Sequence, residues 1–161
     1  VIEPVIRNSA KAVVVHAGRV LLQQTEWGGQ SVRFLPGGGQ HPGEPLARTV
    51  VREVLEETGL TVRVERLLWL REFVNRPWGS NGASPPATHR VEAIFLCLPV
   101  GEPGALGGPL PDEFQTGLEW VPLEAASWPG TKLLPIAVRD RIAALAHSVP
   151  GWPDPYLGDT P

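Results

Sequence analysis

Glu53, Glu56 and Glu57 are the residues whose type and spacing most directly suggest chemistry. They lie in Pro45 to Thr58, a stretch with helical patterning, proline in its first turn, no internal proline or glycine, and Gly59 placed as a left-handed C-cap. At ~100° per residue the three carboxylates fall within an arc of roughly 100°, on one face. Val50, Val51, Val54 and Leu55 occupy the adjacent arc. The helix is therefore expected to bury its apolar side on a sheet and turn its acidic side to a cleft. Like charges at these spacings each cost a few tenths of a kcal/mol. No lysine relieves them, and only Arg52 can reach Glu56, one turn on. Such crowding can be a solvated helix face, or it can be a site for a hard divalent cation held by carboxylate oxygens and substrate phosphates. Pro36-Gly37-Gly38-Gly39, just before the helix, favours the second reading, because a glycine-rich turn lets backbone groups approach a phosphate or a metal closely.

The spacing Gly38, five residues, Glu44, seven residues, then Arg52-Glu53-Val54-Leu55-Glu56-Glu57-Thr58-Gly59-Leu60 resembles the Nudix box, G-x5-E-x7-R-E-U-x-E-E-x-G-U, at every specified position. The box covers Gly38 to Leu60. Weaker similarity extends to a preceding hairpin, a following strand, and the run Glu119 to Leu123 that leads to a late helix. The resemblance implies an α/β fold of the Nudix type, an α/β/α sandwich around a mixed β-sheet. It also implies a divalent-metal-dependent pyrophosphohydrolase that cleaves the diphosphate linkage of a nucleoside diphosphate joined to another moiety, with ADP-ribose or a nucleotide sugar favoured. Glu53, Glu56 and Glu57 would bind Mg²⁺ or Mn²⁺, with the Gly37 carbonyl as a further ligand and Arg52 orienting Glu56. Glu44 would be a supporting carboxylate near the helix start. Gly38 and Gly39 would border the substrate. Metal-activated water would attack one phosphorus in line, and relatives differ in which carboxylate takes the proton. The alternatives are a non-catalytic nucleotide-binding module of the same fold and a hydrolase of dinucleoside polyphosphates or oxidised nucleotides. Isoprenoid diphosphate isomerisation, which in similar proteins uses a cysteine, would have to rely on Cys97.

Outside the box, Glu92 stands in the strand His89 to Phe95, where a carboxylate among apolar residues needs a partner or a site. It is a candidate for substrate binding, as is Trp78, which with Trp27 and Phe73 could stack on a base. Asp112 and Glu113, in a glycine- and proline-rich loop, are candidates for a mobile general base. Gln115 reads as a loop-capping amide or a specificity residue; His89, which starts the strand bearing Glu92, could reach a ligand but is not expected to, and His16 and His147 read as peripheral.

The elements that must position these groups follow from pattern. Ala12 to Val15 and Val20 to Leu22 form a hairpin turning at Gly18, and Ser31 to Leu35 a short strand. Thr61 to Val74, Arg90 to Leu98 and Gly117 to Val121 are extended, and Pro135 to His147 is a second amphipathic helix. Residues 1–149 are expected to form one domain, and 150–161 an extended tail whose aromatics dock. Glycine and proline, 18 each, make up about 22% of the 161 residues, nearly twice the usual ~12%. They concentrate in the box entrance and in the loops Asn75 to Thr88 and Pro99 to Phe114, whose length points to function. With net charge −3 and no basic run, a nucleic-acid polymer is not expected as partner. A small nucleoside diphosphate derivative is, and a homodimer is frequent among relatives of this kind. One cysteine, no long apolar run and no signal-peptide layout lead to the expectation of a cytoplasmic protein without a membrane span.

Overall fold

The computed structural model describes residues 5–75, 88–147 and 155–160. Eight strands and two helices follow in the order β1 (Ile6–His16), β2 (Arg19–Trp27), β3 (Gln30–Phe34), β4 (Gly37–Gly39), α1 (Leu46–Thr58), β5 (Val62–Asn75), β6 (Thr88–Pro99), β7 (Gln115–Pro122), α2 (Ile136–Ala144) and β8 (Tyr156–Asp159), with short 3₁₀ turns around α2. The sheet runs β3-β2-β1-β6-β5-β8, with β4 added on β1 and β7 on β2. It is mixed: β1 pairs parallel to β6, and β6 antiparallel to β5. This is the α/β class expected from the sequence.

β1 organises the molecule because its side chains alternate between two cores. Ala10, Ala12 and Val14 pack with Val50 and Val54 of α1, whereas Val13 joins Trp69, Ile94, Val138 and Ile142 beneath α2. The same alternation carries Arg7, Ser9 and Lys11 onto the Val13 side of the sheet. That places them on the face opposite α1.

Three expectations are corrected. Of the apolar arc read on α1, Val50 and Val54 are fully buried and Val51 is partly so, but Leu55 is 44% exposed. The helix meets the sheet along a stripe narrower than the wheel allows. Second, Gly37–Gly39 is a strand and not a loop, pairing antiparallel with Ser9–Lys11. Glycine is a poor strand former in general, yet here the approach is too close for a side chain: a Cβ on Gly37 would stand 2.2 Å from the Ala10 carbonyl oxygen. Third, β1 starts at Ile6, well before the apolar run that announces it. Its polar N-terminal half is held by β4 and β6 on either side. In the tail, Tyr156–Asp159 adds to β5 in parallel. The part of the tail before it, 150–154, lies outside the described residues, as do Trp78 and 76–87 of the loop between β5 and β6.

Candidate active site

The box delivers its polar groups around the edge strand β4. Gly37 donates its N–H to Glu57 Oε2 at 2.8 Å. A Cβ on Gly38 would lie within 2.7 Å of the whole Glu53 carboxylate, so only glycine leaves room for that side chain. Gly39 accepts from Arg52 Nη2 at 3.0 Å. Three consecutive glycines thus expose main chain to three box residues of α1.

Arg52 is the hub of the acidic face. Its guanidinium forks onto both oxygens of Glu44, at 2.8 and 3.0 Å, while Nη1 reaches Glu53 Oε1 at 2.8 Å and Glu56 Oε2 at 3.2 Å. The sequence anticipated the Glu56 contact, but the bidentate bond to Glu44 is the better one. The hydrogen bond from Arg52 pulls the Glu44 carboxyl down to about 2, aided by His41 N–H and the Thr49 hydroxyl. The same bond raises the already high pKa of Arg52.

Glu57 behaves differently. It is 5% exposed, and burial pushes its carboxyl up to about 7. The Lys11 charge and the Gly37 N–H oppose that shift, and the charges of Glu53 and Asp112 add to it. Lys11 also donates to the Gly37 carbonyl from the far side of β4. One glycine residue therefore takes a lysine on its C=O and a glutamate on its N–H. Lys11 escaped the sequence reading, because only its pairing register with Gly37 reveals it.

In front of β4 lies a cleft of about 170 Å³ lined by Arg7, Ser9, Lys11, Arg90, Glu92 and Asp112 together with the glycines. Glu92 is buried and bound to Arg71 Nε at 2.6 Å, so its charge is already met where it reaches the cleft. Asp112 is exposed at the rim; Glu113, also exposed, is not among the residues lining the cleft. Gln115 caps: its Nε2 donates to the Glu57 carbonyl at 3.2 Å. Leu110 N–H serves the Glu56 carbonyl, Gly107 N–H that of Thr58, and Gly59 N–H that of Leu55. All four terminal carbonyls of α1 are satisfied, two of them by the backbone of the Pro99–Phe114 loop. Trp27 is exposed and packs edge-on against Phe34, while Phe73 lies under the Arg71 guanidinium. His89 Nε2 stands 3.5 Å from Glu72. Cys97 is fully buried and its thiol is pushed up to about 12, which removes it as a nucleophile.

A family model, the NUDIX domain, matches residues 6–142. The chain is a member of the Nudix hydrolase family. A Nudix relative, the Xenopus laevis protein called nucleoside diphosphate-linked moiety X motif 6, is 40% identical over 67 residues, 42% of this chain and 30% of that protein, so the match spans under a third of the relative's length. The fold is shared with a Nudix hydrolase from Nitrosomonas europaea (TM-score 0.64, 22% identity, 90% of both chains). It is shared too with an ADP-ribose pyrophosphatase from Streptococcus suis (TM-score 0.60, 20% identity, 93% of this chain and 98% of that one). As a Nudix protein the chain keeps every specified box residue. No helix among the described residues is long and apolar enough to cross a membrane.

The donor set at the Nudix face is hard oxygen, of the kind that suits Mg²⁺ or Mn²⁺. Among the described residues no three His, Cys, Asp or Glu side chains are gathered as a ready-made cage. Glu53 and Glu57 meet the glycine strand, while Arg52 holds both Glu53 and Glu56. That arrangement fits an ion that takes few protein ligands and fills its sphere with water and substrate oxygens. A buried carboxyl raised by desolvation is also one that a nearby cation would restore to its charged form.

Proposed function

We propose that the chain is a divalent-metal-dependent hydrolase of the diphosphate linkage in a nucleoside diphosphate joined to another moiety, ADP-ribose or a nucleotide sugar being the favoured class. The observation that carries this reading is the convergence of Glu53, Glu57 and Arg52 on three side-chain-free glycines. Carboxylates stand there directly beside main chain that a diphosphate can approach. The name of the Xenopus relative, which refers to nucleoside diphosphates linked to a moiety X, agrees with that substrate class.

Glu53, Glu56 and Glu57 would hold Mg²⁺ or Mn²⁺, with the Gly37 carbonyl as a further ligand once Lys11 releases it. Bound there, the ion supplies neutralisation of diphosphate charge and acidification of water. The protein's own contribution is placement. Arg52 holds Glu53 and Glu56 side by side, and Glu44 fixes Arg52. Glu57 Oε2 is engaged by Gly37, and its other oxygen accepts no hydrogen bond among the described residues, so it can receive a proton from attacking water. With a cation beside it the Glu57 carboxyl would be held in its charged form, the form that accepts a proton. Asp112, at the rim, is the second candidate base.

The test is a screen across ADP-ribose, nucleotide sugars, dinucleoside polyphosphates and oxidised nucleotides with Mg²⁺ or Mn²⁺, with the nucleotide products separated by chromatography. Metal-dependent release of a nucleoside monophosphate is expected from ADP-ribose or a nucleotide sugar, falling about 100-fold or more in Glu57→Gln. Full activity in that variant would sink the assignment. Tight binding without turnover across the panel would identify a binding module instead.

A further inference from the structure

The face of the sheet opposite α1 holds a cluster that the box does not explain. Arg7 and Arg90 are direct partners in the parallel β1–β6 pair. Neighbouring strands lie ~4.8 Å apart, where like charges side by side are unfavourable. Both arginines are exposed, and neither has a carboxylate partner among the described residues. The Arg7 guanidinium reaches over β4, Nη2 standing 3.6 Å from where a Gly39 Cβ would be. One row inward, Ser9 pairs with Glu92, and Glu92 with Arg71. The Arg71–Glu92 ion pair cancels the carboxylate that would otherwise repel an anion. Ser9 is 7% exposed, and its buried hydroxyl has no hydrogen-bond partner among the described residues. A buried polar group left unpaired calls for an explanation. Lys11, next along the same face, adds a third cation to the cleft.

We propose that Arg7 and Arg90, with Ser9 one row inward on β1, form a diphosphate clamp that grips the substrate's non-bridging phosphoryl oxygens from the open side of β4, while the box works from the helix side. Two planar forks offer bidentate geometry for phosphate oxygens, which a lysine cannot reproduce. Because their heads are solvent-facing and unpaired, the arginines are free to take an anion without first breaking an ion pair. The ligand class rests on the hydrolase reading above, but the clamp itself requires neither metal nor turnover.

The experiment is calorimetric titration of the full chain with inorganic pyrophosphate in EDTA. Wild type should bind, Arg7→Ala and Arg90→Ala should each weaken binding about tenfold or more, and the double variant should lose it. Arg7→Lys should recover only part, and Arg66→Ala, an exposed cation on β5, should leave affinity unchanged. Equal affinity in wild type and the double variant overturns the clamp, as does absence of pyrophosphate binding by wild type. Equal loss in Arg66→Ala overturns it too, since only diffuse charge would then be at work. Thermal midpoints of the exposed-site variants should match wild type, which separates lost binding from lost folding. If arginine-dependent binding persists but no substrate is hydrolysed, the hydrolase reading fails and the clamp stands. If the double variant hydrolyses substrate with an unchanged KM, the clamp fails and the hydrolase reading stands.

Discussion

The two sides of the glycine strand β4 are built on opposite plans. Behind it, on α1, negative groups are crowded and tightly cross-linked: Arg52 alone makes five hydrogen bonds, to Glu44, Glu53, Glu56 and Gly39. In front, on β1 and β6, the positive groups Arg7 and Arg90 stand exposed and uncommitted. The helix side is preorganised and stores electrostatic tension in a buried acid. The sheet side stores little and has most of its interactions still to make. Side chains of the first kind should matter to stability and rate together, and those of the second kind to binding alone.

The largest effect that would break this contrast concerns Glu57. Its carboxyl is raised from 4.5 to about 7 in the folded chain. Between those values the unfolded chain releases the proton while the folded one retains it, so stability from this group is full below pH 4.5 and is lost as pH rises toward 7. Urea melts in EDTA should show a loss of about 2–3 kcal/mol between pH 4.5 and pH 7.5, relative to Glu57→Gln measured in parallel. Identical pH profiles would mean that Glu57 is not buried as described. Added Mg²⁺ should restore part of the loss.

Next comes Gly38→Ala. The new Cβ would meet the Glu53 carboxylate at 2.6 Å, and displacing a positioned group by about 1 Å costs about 100-fold in rate. Steady-state kinetics should show kcat falling much more than KM rises. Removal of the hub, Arg52→Ala, should cost about 2 kcal/mol in denaturant melts, less than a fully buried ion pair because the side chain is 22% exposed. It should also let Glu44 titrate nearer its ordinary range, visible by carboxyl NMR. At the small end, Arg7→Ala should change unfolding free energy by no more than about 0.5 kcal/mol. A larger loss would show that the sheet side is also structural.

The same contrast explains what could be read from the sequence. The helix side is local: Glu53, Glu56 and Glu57 sit within two turns of one element, and Gly38 and Glu44 shortly before it, so spacing alone brings them together. The sheet side joins Arg7 to Arg90 and Lys11 to Gly37 through strand register, which no local pattern encodes. Its only trace is the alternation Arg7, Ser9, Lys11 ahead of an apolar run, easily passed over as the polar start of a strand. Glycine composition pointed toward a ligand, but it read β4 as a loop, because glycine's poor strand propensity hides positions where pairing demands the absence of a side chain. Burial likewise cannot be read from type: Glu92 needed Arg71, 21 residues away, to identify it as one half of a buried ion pair.

The capping of α1 by the loop between β6 and β7 carries a consequence for exchange with solvent. Gly107 and Leu110 belong to no helix or strand, yet their amide hydrogens are spent on the carbonyls of Thr58 and Glu56. These amides open when the loop leaves the last turn of α1, and that turn bears two of the three glutamates. Their deuterium uptake should therefore be slower than that of their neighbours in the same loop, whose amides are not bonded to the helix. An irregular segment would then report, amide by amide, on the integrity of the acidic face.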